Sequence, residues 1–535
     1  MTNQEPLLKG LKVVDLGVGM AAAIVTRYLA DAGASVTRIE PDGGDPFSSI
    51  YPAYAFWRRD HVDADRSELN RLVTQADVCV VGGEDHPELP KRIGAKQVAG
   101  LSPRLVVLDI NQGPAASSIE HRPATDLLAQ ARSGLAWEQR ADRPVAHAFE
   151  PASYGAAMQG LIGMLAALYE REASGLGQVV TTSLLEGALA WVGVYWCQLE
   201  RPTPAATFKT PRGVVPTIFR TRDGMFIHLV IGGSGSKYKM YKALGIVDPK
   251  VTPTSSSMPQ LGAGPRHFFG DCDLLAQHVA KLDGRDALEA IWAEGLPAEP
   301  VLQPGGCWND PQVDRNRIIV SDSQGRRGVG LPFLCRLSPA DSARSAKPGV
   351  KPLDGVRIVD CGAFVAGPLA STLLTDLGAE VIKVEPVAGD PNRAIFASFT
   401  VANRGKKSVA IDSKHPIASE YVRALCLSAD VVMNNFRPGV SARLGVDPAS
   451  LLAARSDLVV LESPAYGVEG PHAQKSGFDM VMQAYCGHEV RCAGAGNDPD
   501  WDRINIADFT GGMMGAVAIL TALVHRARSG NGVSL

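Results

Sequence analysis

Residues 355–391 read GVRIVDCGAFVAGPLASTLLTDLGAEVIKVEPVAGDP, and residues 10–46 read GLKVVDLGVGMAAAIVTRYLADAGASVTRIEPDGGDP. The two stretches align without a gap at an offset of 345. Each opens with a β-branched apolar run, Val13–Leu16 or Ile358–Asp360. Each then passes through a glycine turn into a helical stretch that ends at Gly33 or Gly378, and returns to a second apolar run, Ser35–Ile39 or Glu380–Val384. Two strands joined by a crossover helix predict a βαβ unit with parallel strands.

Outward from this unit the repetition continues. Asp77–Val81 and Asp430–Met433 predict a further pair of strands, as do Leu105–Asp109 and Leu458–Glu462. ATDLLAQARSGL from Ala124 lies opposite GFDMVMQAYCGH from Gly477, which sets Asp126 against Asp479. GMLAALYEREASGLGQVVTTSLLE from Gly163 lies opposite AILTALVHRARSGNGVSL from Ala518, with Gly177 facing Gly532 at an offset of 355. Alternating strands and helices of this kind predict an α/β protein with two doubly wound, Rossmann-like large domains in tandem. Residues from about 205 to 335, including PTIFRTRDGMFIHLVIGGSGSKYKMYKALGI, predict a small α+β domain between them. The expected organisation is therefore a large domain over 1–204, the small domain over 205–335, a linker over 336–352 and a second large domain over 353–535. The second copy stops where the first is entering its small domain, which leads us to expect a truncated second copy.

The 535-residue chain is 45% apolar and carries 53 Lys plus Arg against 56 Asp plus Glu, a net charge of −3. This composition supports large cores and argues against a polyanion such as nucleic acid as the main partner. The start, MTNQEPLLKG, lacks a basic and apolar leader, and no uninterrupted apolar run reaches the roughly 18 residues of a membrane span, so a cytoplasmic protein is expected. The nine cysteines are scattered and never spaced CxxC, so reduced thiols and no metal site are expected.

Several features bear on chemistry. Gly17-Val18-Gly19-Met20-Ala21-Ala22, with Glu40 some way on, fits the dinucleotide pattern GxGxxA, but the second copy reads GAFVAGP there, so NAD is not expected. Arg393 follows the Glu385-Pro386 strand end, and Asn403-Arg404-Gly405-Lys406-Lys407 comes shortly after. Cations at strand ends suit a phosphate-bearing ligand, and a solvated basic turn is the alternative. The first copy has Phe56-Trp57-Arg58-Arg59-Asp60 instead, an eroded version. Asp508, in INIADFTGGMMG, opens a long apolar helix, as an N-cap or as a reactive carboxylate held ionised by the helix dipole. Ser153 stands opposite it in the first copy, where capping survives and carboxylate chemistry does not. His472 and His488 receive no role, and neither HExxH nor a complete GxSxG occurs.

At these residues the sequence resembles the family III CoA-transferases, which include formyl-CoA transferase and carnitine CoA-transferase, with α-methylacyl-CoA racemase as a relative. The resemblance rests on residues 352–393, NRGKKSVAIDSK, ADVVMNNFRPGVSARLGVD, AYGVEGPHAQKSGFD and IADFTGG in the second copy, and on about 1–335 in the first. It implies that Asp508 is the nucleophile, which takes acyl groups as an anhydride and CoA as a thioester. Coenzyme A would be substrate and product, with acyl-CoA and a carboxylic acid as partners. Carried over residue by residue, Phe364, Val365, Ala366, Arg393, Lys407, Arg437, Arg443 and Lys475 would hold CoA. Gly232, Gly233, Ser234 and Gly235 resemble the family's glycine loop over the intermediate, although a plain hairpin turn fits them too.

Family members are interlocked dimers, and a fused tandem could reproduce that pairing within one chain as a pseudo-dimer, with further homo-oligomers open. Asp508 is accordingly expected to work with the small domain of the first copy. Two other readings stay open at this point. The racemases use a His in a GHD-type motif, which here reads Gly477-Phe478-Asp479, while Gly511-Gly512 is racemase-like. An inactive CoA-binding scaffold is the other.

Overall fold

The structure, a computed structural model, describes residues 6–89, 93–111, 113, 123–139, 142–197, 200–201, 215–257, 265–267, 270–340 and 346–535. The beginning of the expected small domain, 205–214, lies outside these residues, as do 341–345 of the expected linker.

The first copy builds a six-stranded parallel sheet in the order Val62–Asp63, Ser35–Arg38, Lys12–Asp15, Val78–Gly82, Val106–Asn111, Val179–Ser183. The second repeats that order with Lys407–Ile411, Glu380–Pro386, Arg357–Asp360, Val431–Asn434, Val459–Glu462 and Gly532–Ser534. Numbered along each copy, both run 3-2-1-4-5-6, so a crevice opens where the order reverses, at the carboxyl ends of the first and fourth strands. The central strands are buried on both faces, which is why they read as continuous Val and Ile runs.

The expected linker needs a correction at its start. Arg336–Ser338 is a seventh strand of the second sheet, antiparallel to Gly532–Ser534. Its carbonyls and amides complete a sheet edge that is otherwise bare. The small unit carries a three-stranded antiparallel sheet of Ile218–Arg220, Phe226–Leu229 and Ala298–Pro300, backed by helices around Met240, Leu275 and Ile291.

Two long helices, Pro151–Ser174 and Ile506–Ser529, pack across the centre of the molecule and join both copies in one core that includes Leu161, Leu165, Leu520 and Leu523. Tyr28 and Thr521 hydrogen-bond across the same seam at 2.8 Å. By length and composition the helix Ile506–Ser529 could cross a membrane, but 67% of its most apolar window is buried inside the protein. A helix apolar on all sides is what this central position requires.

Candidate active site

The helix Ile506–Ser529 begins after Asn505, whose left-handed backbone (φ 55°, ψ 52°) turns the chain into it. Its first amides go to Asp479, at the start of the helix Asp479–Tyr485: the Asp479 Oδ1 accepts from the N–H of Ala507 at 2.6 Å and of Asp508 at 3.3 Å. Gln483 holds Asp479 in place, donating to its Oδ2 at 2.7 Å and bracing against the backbone of Asp502 at 2.8 Å. Asp508 is therefore not the cap of its own helix, contrary to one reading of the sequence. The capping carboxylate comes from elsewhere and leaves Asp508 half-buried in the first turn.

This changes the electrostatics expected for Asp508. A helix N-terminus was expected to hold Asp508 ionised. Instead, burial and then the neighbouring Asp479 push the Asp508 carboxyl up to about 8, with a hydrogen bond from Asn505 opposing them. Asp479 is lifted as well, chiefly by its own burial. Two carboxyls this close share little more than one negative charge near neutrality.

The same cap recurs in the first copy. Asp126 Oδ2 accepts from the N–H of Ser153 at 2.7 Å, and Gln130 donates to Asp126 Oδ1 at 2.8 Å. Ser153 is thus capped rather than capping, a second correction. Neither Asp479 nor Gln483 was singled out as functional from the sequence. The signal was present in Asp126…Gln130 and Asp479…Gln483, an acid and an amide one helical turn apart in both copies.

Beside Asp508 stands the turn 362–366. Phe364 has φ 62°, and its N–H donates to Asp390 Oδ1 at 3.2 Å. Asn435 holds Ala363 from the other side, accepting from its N–H and donating to its carbonyl, both at 2.9 Å. The buried Lys383 ties Gly362 to Asp390. The helix Ala366–Asp376 starts there with Val365 as its cap residue, and a Cβ built on Gly511 would lie 3.4 Å from that of Ala366. Two helix N-termini therefore adjoin, with Asp508 on the edge of one and Phe364, Val365 and Ala366 on the other.

The glycine loop of the small unit reaches the same edge. A Cβ on Gly232 would lie 3.8 Å from the ring of Phe478, which in turn packs edge-on against Phe364 at 5.1 Å. Gly233 and Gly235 both have positive φ, at 88° and 74°, with Ser234 between them. The unit is anchored by His228 against Glu489 at 2.5 Å, by Trp501 donating to the Val215 carbonyl at 2.8 Å and by Lys475 pairing with Glu299 at 2.9 Å.

The model of the family described as CoA-transferase family III matches residues 8–59, 60–350 and 353–535. The chain belongs to that family. The repeated match supports two tandem copies. A curated relative, probable CoA-transferase Rv1866 of Mycobacterium tuberculosis, is 26% identical over 97% of this chain and 74% of its own length. Probable fatty acyl-CoA transferase Rv3272 of the same organism is 39% identical over 34% of this chain. Succinate–glutarate CoA-transferase of Agrobacterium fabrum is 34% identical over a similar share. These last two matches cover 48% and 49% of those relatives, so the chain spans about half their length. A solved structure of Rv3272 aligns with a TM-score of 0.50 at 19% identity, covering 62% of this chain and 95% of that one, a likeness of fold.

The family's expected CoA contacts divide into two groups in this structure. Arg437 and Arg443 are exposed on the segment after Val431–Asn434, two and eight residues beyond Asn435. Arg393 is half-exposed at the end of the Glu380–Pro386 strand, bound to Glu385 at 2.6 Å and lying over the Phe399 ring. These cations border the crevice. Lys407 does not: it pairs at 2.5 Å with Glu380, at the opposite end of the strands. Lys475 is only 16% exposed and serves the small unit through Glu299 and the Trp292 ring, 3.7 Å away. Both leave the ligand-facing set on this geometry.

The basic run 403–407 is likewise structural. Lys406 is buried and donates to Asp360 at 2.9 Å, and Arg404 pairs with Asp376. The first copy is not eroded here, because Arg58 pairs with Asp15 as Lys406 does with Asp360. Each sheet keeps a buried cation on the acid that ends its first strand, and Asp15 pairs with Arg38 as well.

Proposed function

We propose that this chain moves CoA from an acyl-CoA donor to a carboxylic acid acceptor, with Asp508 as the nucleophile. The Asp508 carboxylate attacks the thioester carbonyl carbon, the carbon–sulfur bond breaks, and CoA leaves as the thiolate. The thiolate attacks the Asp508 side of the resulting anhydride and releases the donor acid, leaving CoA as a thioester on Asp508. The acceptor carboxylate attacks that thioester and again expels the thiolate. The thiolate then takes the acceptor acyl group, and Asp508 is regenerated as a carboxylate.

The observation that carries this reading is the setting of Asp508. Asp479 takes the helix-start amides of Ala507 and Asp508, and Asp508 stands in the first turn of a helix whose Gly511 lies against Ala366 of the neighbouring turn. The raised pKa also makes the ionised Asp508 a stronger nucleophile once formed. In this reading Phe364, Val365 and Ala366 seat the thioester end of CoA, Arg393, Arg437 and Arg443 meet its phosphates, and Gly232–Gly235 covers the intermediate. The two copies would act as a pseudo-dimer in the cytoplasm, with one set of catalytic groups. The named substrates of the relatives, succinate and glutarate among them, define the first donors and acceptors to try.

The racemase alternative requires a base where Phe478 stands, and a phenyl ring cannot take a proton. Incubation with a panel of acyl-CoAs and carboxylic acids separates the readings. New acyl-CoA that appears only with the acid supports transfer. Deuterium entering the α-position without acid supports the racemase, and bound CoA without either reaction supports a scaffold.

A further inference from the structure

The first copy has the same crevice topology as the second, and one of its own carboxylates lies in it. Glu84 follows the strand Val78–Gly82 and is 2% exposed. Its Oε1 accepts from the N–H of Met20 at 2.9 Å, in the first turn of the helix Gly19–Asp31, and from the Ser153 hydroxyl at 3.3 Å. Its Oε2 accepts from the Tyr51 hydroxyl at 2.8 Å. Met20 is the counterpart of Val365 at the offset of 345, and Ser153 that of Asp508 at 355. Glu84 thus bridges the two elements between which the proposed function places the thioester in the second copy.

The corresponding residue there has the opposite charge. Val78 and Val431 hold equivalent places beside the first strands, and Glu84 and Arg437 each follow six residues later. Arg437 is exposed, whereas Glu84 is turned inward. Gly19 accommodates this inward path: its φ is 75°, and a Cβ there would come within 2.9 Å of the Glu84 side chain. Burial pushes the Glu84 carboxyl up to about 7, as befits a group enclosed by protein.

We propose that the first copy is closed to CoA by Glu84, which occupies the ligand position between Met20, Ser153 and Tyr51, so that the chain binds one CoA, in the second copy. This rests on the CoA-transfer reading above. A thioester or phosphate entering the first crevice would have to displace a carboxyl group already satisfied by three donors. The same geometry makes the place a carboxylate seat: removal of the Glu84 side chain leaves three aligned donors and a space for a small carboxylate.

The test has two arms. Equilibrium dialysis of the full chain with acetyl-CoA should give one equivalent bound, with hydrogen-exchange protection at 363–369. Two equivalents, or protection at 17–23, would overturn the closure and leave the CoA-transfer reading standing. No binding would overturn that reading and the count of one together. In the second arm, formate should raise the melting temperature of Glu84→Ala by several degrees and leave wild type unmoved. A variant that folds but shows no response to formate would refute the carboxylate seat, and if the variant does not fold, the wild-type count decides.

Discussion

Asp479 accepts the backbone N–H of Asp508 while its charge opposes ionisation of the Asp508 side chain. One residue therefore both positions Asp508 and, together with burial, holds the proton on it. In Asp479→Asn, an oxygen acceptor remains for the cap but the like charge is gone. The pH at which Asp508 becomes reactive toward acyl-CoA should fall by about one unit, with the fold intact. A purely structural role for Asp479 would leave that profile in place, and the measurement is the rate of adduct formation against pH.

Stability should follow the same proton. Asp508 keeps its proton in the folded chain up to about 8, while the unfolded carboxyl ionises near 3.8. The folded state holds more protons between those values, so the stabilising effect of the protonated group is lost as pH rises through that window. Asp508→Asn cannot ionise and should gain on wild type from pH 4 to 8, by roughly 1–3 kcal/mol for a half-buried group. Denaturant melts of both proteins across that range check the slope.

The Lys406 side chain is 2% exposed and pairs with Asp360 beneath the crevice turn. Lys406→Met leaves the buried Asp360 without its paired cation, facing Lys383, Ser371 and the Gly362 N–H, and should cost about 3–5 kcal/mol. Lys407→Ala, on the next residue but at the far end of the strands, should cost under about 1 kcal/mol and leave CoA affinity unchanged. Arg437→Ala, beside the crevice, should weaken CoA binding several-fold without affecting the melt, and titration of the three variants with CoA distinguishes the roles.

Gly487 has φ 75°, and a Cβ there would sit 2.5 Å from the Gln303 carbonyl of the small unit. Gly487→Ala should destabilise the contact by about 1–3 kcal/mol and increase proteolysis near 303 before global unfolding. Protection identical to wild type would show that this contact does not hold the small unit down.

The parallel strands and their crossover helices were legible because burial on both faces leaves continuous Val and Ile runs, and because the chain repeats itself. The place of Asp508 at the start of a long apolar helix was legible from its motif. Its electrostatics were not, since the amides near a helix start serve whichever acid the fold brings there, and Asp479 arrives from 29 residues upstream. The cations misled for a similar reason. Lys406 lies just before the strand that Lys407 opens, so composition placed both at the ligand while the fold gave them to Asp360 and Glu380. Glu84 could not be read as a plug from sequence, because its partners Met20, Tyr51 and Ser153 come from three separate segments.

The most direct test of the account is to trap the intermediate. The protein would be incubated with a panel of acyl-CoAs, quenched with hydroxylamine and digested, and the peptide bearing Asp508 weighed by mass spectrometry beside that of Asp508→Ala. A hydroxamate at Asp508 in wild type, absent from the variant, is the predicted result. Acceptor-dependent CoA transfer that continues in Asp508→Ala, with no hydroxamate at Asp508 in wild type, would contradict it.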